Sequence, residues 1–371
     1  MRRKRQPPDL LIVFAVAMLM AIGMVMVFSS SGIPSSGGSM GALSHGFYYL
    51  RKQLLWALLG TVALIAAMCF DYSLLKKWAG YIFLGGMLLL AAVLVPGLGK
   101  EVSGSMRWFD IGPFSFAPSV AIKLCMVIFL AASLSRCGEN IQLFWKGMAP
   151  HLAALGAAAG LILAQPDLGT AVSIGGTAYL LFIMAGARAL HLVILAFLGM
   201  AAVAGAIYLE PYRMARFWAF LDPWKYSLGS GFQIIQSLYA LGSGGLFGVG
   251  LGGSHQKMFY LPEQHTDFIF SILGEELGYL GVLVVLALFF LFIWRGFRTA
   301  WGCPDSFGCF LAAGITSMIG LQAIINIGVV SGVLPVTGIP LPFISYGGSS
   351  LLFNMIGVGI LLSVSRDYRR A

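Results

Sequence analysis

Ten apolar stretches, at 10–30, 53–70, 78–95, 118–136, 148–165, 169–187, 190–209, 268–294, 307–330 and 346–364, dominate this chain. A helix of roughly 20 mainly apolar residues crosses the hydrocarbon of a bilayer. The pattern therefore predicts an all-α, polytopic membrane protein with about ten transmembrane helices. Composition points the same way: 59% of the residues are hydrophobic and 10% charged, against about 25% charged in soluble domains. A water-surfaced enzyme is excluded. A single-span anchor carrying a large soluble domain is excluded too, because no long segment has globular composition.

The first apolar stretch follows Met1-Arg2-Arg3-Lys4-Arg5 and continues from Leu10 to Phe28. It is long for a signal peptide and lacks a convincing small-x-small cleavage site, so it reads as the first span. With the N-terminus inside, the inner segments hold Arg2, Arg3, Lys4, Arg5, Lys76, Lys77, Arg136, Lys146, Arg188, Arg295, Arg298, Arg366, Arg369 and Arg370. This bias places both termini in the cytoplasm. The net charge of +9 is spread over the ends of spans rather than gathered in a patch, so no nucleic-acid partner is expected. Cys69, Cys125, Cys137, Cys303 and Cys309 lie outside the outer segments and form no CxxC pair, so neither disulfides nor a cysteine metal site is expected.

Two outer segments stand out. One runs from Pro96 to Ala117 and contains Gly104-Ser105-Met106-Arg107-Trp108-Phe109, a mixture suited to lying in the interface. The other, 210–267, is a long extracytoplasmic loop between helices 7 and 8, rich in Gly, aromatic and charged residues. Loops carry sites on a helical scaffold. Charges in or beside spans are costly and mark function by default. Lys123 lies five residues beyond Pro118, about 8 Å into span four at 1.5 Å per residue. Asp267 opens span eight, which enters from the same side, so an ion pair with Lys123 is feasible. The simpler alternatives are a snorkelling lysine and a helix-capping aspartate.

Other residues are weaker signals singly. Asp167 in Gln165-Pro166-Asp167-Leu168-Gly169-Thr170 ends a short helix or serves a site. Arg213, Arg216, Lys225 and Lys257 bind phosphates or are solvated loop charges. Glu275 and Glu276, two turns into span eight, face a wet cavity or pair internally. His265 reads as orienting its loop, and His151 and His191 as packing residues. Gly248-Val249-Gly250-Leu251-Gly252-Gly253 formally matches GxGxxG, but no βαβ unit surrounds it and no dinucleotide site is expected. Gly156 and Gly160 read as close helix packing.

From Asn326 through Gly332-Val333-Leu334-Pro335-Val336-Thr337-Gly338-Ile339-Pro340-Leu341-Pro342-Phe343-Ile344-Ser345-Tyr346-Gly347-Gly348-Ser349-Ser350 the chain resembles the SEDS family (shape, elongation, division and sporulation). Gly104-Ser105-Met106-Arg107-Trp108, Gln165–Thr170, Phe220-Leu221-Asp222-Pro223-Trp224 and His265-Thr266-Asp267-Phe268 agree, so the resemblance covers nearly the whole chain. The run Gly244–Gly252, followed by Gln256-Lys257 and Tyr260-Leu261-Pro262-Glu263, is closer to the FtsW/SpoVE branch than to RodA.

The resemblance implies a single ten-helix domain, 1–371, in the bacterial cytoplasmic membrane. It would polymerise lipid II (undecaprenyl-pyrophosphate disaccharide-pentapeptide) into glycan strands at the outer face. It implies that Asp267 is essential, and that Pro118-Ser119-Val120-Ala121-Ile122-Lys123 matches a Pro-Ser-Glu-x-x-Lys motif with valine in place of glutamate. Asp267 and Lys123 are thus the candidate catalytic pair. Arg107, Asp167, Arg213, Arg216, Lys257, His265, Ser345 and Ser349 are candidate substrate contacts. The implied partners are a class B penicillin-binding protein transpeptidase and other division or sporulation membrane proteins.

In such a transfer a general base takes the proton of the attacking sugar hydroxyl, and Asp267 fits that role. Cations neutralise the leaving pyrophosphate: Lys123, Arg213, Arg216 or a divalent ion, Mg or Mn. No nucleotide cofactor is needed. The rival readings are a lipid II flippase, which needs a polar path to the inner leaflet, and a non-catalytic scaffold, which needs neither Asp267 nor Lys123.

Overall fold

A computed structural model describes residues 7–31, 39–102, 105–111, 114–256 and 265–367. Its helices are α1 (Leu10–Ser31), α2 (Ser39–Cys69), α3 (Tyr72–Ala92), α4 (Pro118–Cys137), α5 (Ala149–Leu163), α6 (Leu168–Met184), α7 (Ala189–Tyr208), α8 (Pro211–Leu221), α9 (Phe232–Ser243), α10 (Ile269–Gly302), α11 (Ser306–Val330) and α12 (Gly348–Ser365). Among the described residues nine helices are long and apolar enough to cross a membrane, and α6 is a shorter apolar helix. All ten expected spans are thereby matched, in a multi-pass membrane protein. At 1.5 Å per residue α6 is about 26 Å long.

Local chemistry starts these helices. Pro118 and Pro211 occupy first-turn positions in α4 and α8, where a missing N–H costs nothing. Asp71, Asp167 and Asp305 cap α3, α6 and α11 by accepting from Ser73 N, Thr170 N and Gly308 N. Burial sorts the bundle into layers. Helices α4, α11 and α12 are buried along most of their length and form the centre, whereas α7 buries none of its residues. Small residues let the central helices approach: a Cβ at Gly314 would lie 2.7 Å from Val127 Cγ1.

Two connections depart from the sequence reading. The segment before α4 folds as an antiparallel meander, β1 (Lys100–Val102), β2 (Ser105–Ile111) and β3 (Phe114–Phe116), with Phe109 opposite Phe116. Two of these strands, β1 and β3, have three residues each and are too brief to register as an alternating pattern. The stretch 210–267 is not a plain loop, because it contains α8 and α9. Helix α9 forms because Ile234, Ile235, Ser237 and Ala240 recur on one face and are buried.

The ends of the bundle are distinct. Helices α2, α4, α6, α10 and α12 begin at one end, which we term the site face. At the opposite face Asp9 accepts from Arg295 Nε at 2.8 Å and its N–H donates to Ser365 Oγ, tying the entry of α1 to α10 and α12.

Candidate active site

The connection between α11 and α12, residues 331–347, is the hub of the site face. It is rich in Pro and Gly and cannot continue either helix. Its polar backbone must therefore be satisfied from elsewhere, and each sequence motif supplies a partner. Asn326 Nδ2 on α11 donates to Ile339 O at 2.7 Å, and Gln322 Nε2, one turn earlier, donates to Pro340 O at 2.9 Å. Ser345 Oγ accepts from Leu341 N at 2.8 Å and closes the turn. Gly169, at the start of α6, lies so close that a Cβ there would meet Thr337 O at 2.8 Å.

Asp267 reaches this hub through its own carbonyl and those of the two residues before it. Ser345 Oγ donates to Thr266 O at 2.6 Å, Tyr346 N donates to His265 O at 2.9 Å, and Asn326 Nδ2 donates to Asp267 O at 2.8 Å. The aspartate is half-buried just ahead of α10. Its Oδ2 faces Gly338, where an added Cβ would stand 3.5 Å away and φ is +74°. The backbone at Asp267 is thus fixed, and Oδ2 lies beside a residue with no side chain.

Lys123 is buried on α4, one layer below. The expected direct ion pair is not formed: Nζ donates to Gln322 Oε1 at 3.0 Å. Lys123 and Asp267 are instead linked through α11, whose Gln322 grips Lys123 and Pro340 while Asn326 grips Asp267 and Ile339. A buried ammonium needs an acceptor, and a central helix provides one without a second charge.

Several expected substrate contacts have structural duties. Ser345 is the clamp described above. Buried Ser349 donates from Oγ to Ser115 O at 3.0 Å and accepts from Ala117 N at 3.3 Å, which fixes the meander to α12. Both hydroxyls are used inside the fold, because a buried loop takes whatever donors lie next to it. Asp167 caps α6 and also accepts from Thr170 Oγ1 at 2.8 Å. Arg107 on β2 donates from Nε to Gln165 O at 2.8 Å and from Nη2 to Pro166 O at 2.6 Å. It thereby supports a turn in which Pro166 has a φ of +30°.

His265 packs against Tyr49 and Tyr346, with ring centroids 4.8 and 5.8 Å away. Burial pushes the Tyr346 phenol above its ordinary value, so it stays neutral in this cluster. Arg213 caps the end of α7 through Ala206 O at 3.0 Å. Arg216 stacks on Tyr212 with its Cζ 4.3 Å from the ring centroid, and points Nη1 at Val336 O, 3.5 Å away, two residues before Gly338. Arg216 is thereby joined to the hub loop that also faces Asp267. Lys257 lies outside the described residues.

Gln322 is the residue that reading for charges missed. A glutamine in the middle of an otherwise apolar span carries the same signal as a charge, in weaker form. Asn326 stood only at the margin of the long motif.

Residues 9–370 match the FtsW/RodA/SpoVE family of cell cycle proteins. The chain is 47% identical over 369 residues to stage V sporulation protein E of Bacillus subtilis, covering all of both chains. It is 41% identical over 369 residues, again covering both chains, to a protein of Geobacter sp. (strain M18) named as a probable peptidoglycan glycosyltransferase FtsW. Among solved structures, a chain of a peptidoglycan synthase complex superposes with a TM-score of 0.80 at 34% identity, over 98% of this chain and 99% of that one. The rod shape determining protein RodA of Thermus thermophilus gives 0.72 at 29% identity, over 98% of each chain. Together with the hub loop and the motifs it gathers, these matches show that the chain belongs to the FtsW/RodA/SpoVE family.

Proposed function

We propose that this chain is a peptidoglycan glycosyltransferase that polymerises lipid II at the outer face of the cytoplasmic membrane during division or sporulation. Its site face then points outward and both termini lie in the cytoplasm. The observation that carries the reading is the setting of Asp267. A half-buried aspartate is held by three bonds to the backbone of residues 265–267, has Oδ2 beside a glycine, and shares its hub loop with Arg216.

In the reaction the acceptor sugar hydroxyl attacks C1 of the donor. Asp267 takes the hydroxyl proton as the new C–O bond forms. The bond from C1 to the pyrophosphate oxygen breaks and its electron pair leaves with the pyrophosphate, a weak base that needs charge neutralisation more than protonation. Arg216 is placed to bind that anion. Lys123, buried beneath the hub, adds positive potential through Gln322 without touching substrate. The polyprenyl tail stays in lipid while the sugars occupy the face between α8 and the hub. Among the described residues no three His, Cys, Asp or Glu side chains come together. If the reaction uses Mg or Mn, Asp267 would be the residue to hold the ion, which would supply positive charge for the leaving pyrophosphate.

A class B penicillin-binding protein is the fitting partner, since the new strands must be cross-linked. The flippase reading has less support. Among the described residues the buried charged side chains are Lys123, Glu275 and Glu276, all within the first turns of α4 and α10 on the site face. The test is to reconstitute the purified chain with its partner in liposomes and follow strand formation and lipid II translocation separately. Strand formation without translocation supports the polymerase; translocation without strands overturns it.

A further inference from the structure

Two features have no part in that chemistry: the adjacent carboxylates Glu275 and Glu276, and the glycine run after α9. They meet at one place. Glu275 and Glu276 are 0% and 1% exposed, and carboxylates buried so deeply must be hydrogen-bonded. Glu276 turns to α1 and accepts from Ser29 Oγ at 2.6 and 2.7 Å. Glu275 turns to the segment after α9. Its oxygens accept from Ser254 Oγ at 2.5 Å, His255 N at 2.9 Å and Gln256 N at 3.4 Å.

The backbone of the same turn is joined to the glycine run. Helix α10 breaks at Gly278, where φ is +66° and ψ −168°. A break inside a membrane bundle frees N–H and C=O groups that water does not reach. Four bonds satisfy them: Val249 N to Glu275 O at 3.0 Å, Gly250 N to Glu276 O at 3.1 Å, Tyr279 N to Gly245 O at 2.9 Å and Leu280 N to Leu246 O at 3.2 Å. Only glycine permits this approach, since a Cβ at Gly248 would stand 2.1 Å from Glu276 O and one at Gly278 2.3 Å from Gly248 N.

The broken helix is also the one that Asp267 introduces. Gln256 is fixed by Glu275, while His265 and Thr266 are fixed by Tyr346 and Ser345. Both ends of the intervening chain are thus attached to the structure that holds Asp267.

Resting on the reading of Asp267 as the base, we propose that Glu275 is a positioning residue for glycan polymerisation. It locks Ser254–Gln256 to the start of α10, so that the segment and Asp267 are held as one unit. Glu275 is too deeply buried to touch substrate, so its effect should fall on the geometry of the chemical step.

The test uses the full chain in nanodiscs with its partner transpeptidase. Strand synthesis from lipid II is measured as kcat and KM, and amide hydrogen exchange is followed by mass spectrometry. Glu275→Gln turns an amide donor towards three donors. It is expected to lower kcat about tenfold or more, since small misplacements are costly, with KM within about threefold, and to speed exchange across 254–256. Glu275→Asp should recover part of kcat. Ser254→Ala, which removes one donor and leaves the carboxylate in place, covers the case in which Glu275→Gln fails to fold. It is expected to show a smaller fall in kcat with the same local rise in exchange.

Wild-type kcat in Glu275→Gln overturns the proposal, as does lost kcat with unchanged exchange at 254–256. If Glu275→Gln does not fold, wild-type kcat and exchange in Ser254→Ala overturn it. A wild-type chain that makes no strands overturns the polymerase reading itself, which separates the two failures.

Discussion

Lys123 Nζ donates to Gln322 Oε1 at 3.0 Å, so the buried cation of this site is partnered by an amide on the central helix. The same amide reaches Pro340 O through Nε2. One side chain therefore couples the charge beneath the site to the loop that shapes it. Gln322→Ala leaves a buried ammonium without its acceptor and should destabilise the protein by about 1.5–3 kcal/mol. Replacing both partners, Lys123→Met with Gln322→Leu, should recover much of that stability and leave polymerisation lost. Equilibrium unfolding in mixed micelles, with a strand-synthesis assay, checks this. A double variant no more stable than Gln322→Ala would argue against the coupling.

Gly338 is held at a φ of +74° with Asp267 Oδ2 beside it. Gly338→Ala imposes a left-handed conformation on an L side chain, at about 1–2 kcal/mol. It also puts a methyl group 3.5 Å from Asp267 Oδ2. Polymerisation should fall much further than the modest loss of stability explains. Wild-type turnover in this variant would mean that substrate approaches Asp267 from another side.

Arg216 is placed to meet the pyrophosphate, and its stacking on Tyr212 pre-orients the guanidinium. Arg216→Ala should raise KM for lipid II about tenfold, the loss expected for one charge-assisted hydrogen bond. Arg213→Ala should change KM far less, because Arg213 is engaged with the end of α7. Equal effects of the two substitutions, measured by steady-state kinetics, would assign both to structure.

Much of this architecture was legible from the sequence. All ten spans were predictable because each apolar run is long and bounded by charge or proline, and Asp267 and Lys123 stood out because charges beside hydrocarbon are costly. The meander at 100–116 was not legible, since two of its strands have three residues each. Nor were the duties of Ser345 and Ser349, since a motif names residues without saying which carbonyl each must satisfy. The role of the glycine run was not legible either. Its actual role, seating against the break at Gly278, depends on a contact between segments that no local pattern encodes. The Lys123–Asp267 ion pair, feasible from the sequence, is not formed; the sequence does not show that Gln322 of α11 lies next to Lys123.

The central claim is that Asp267 removes the proton from the attacking sugar hydroxyl. Asp267→Asn keeps the size of the side chain and the backbone bonds from Asn326 and Ser345, and removes the base. In lipid II polymerisation by the purified chain with its partner transpeptidase, it should lower kcat about 10²–10⁴-fold while the protein folds and binds lipid II as the wild type does. Strand synthesis by Asp267→Asn at the wild-type rate would contradict the account.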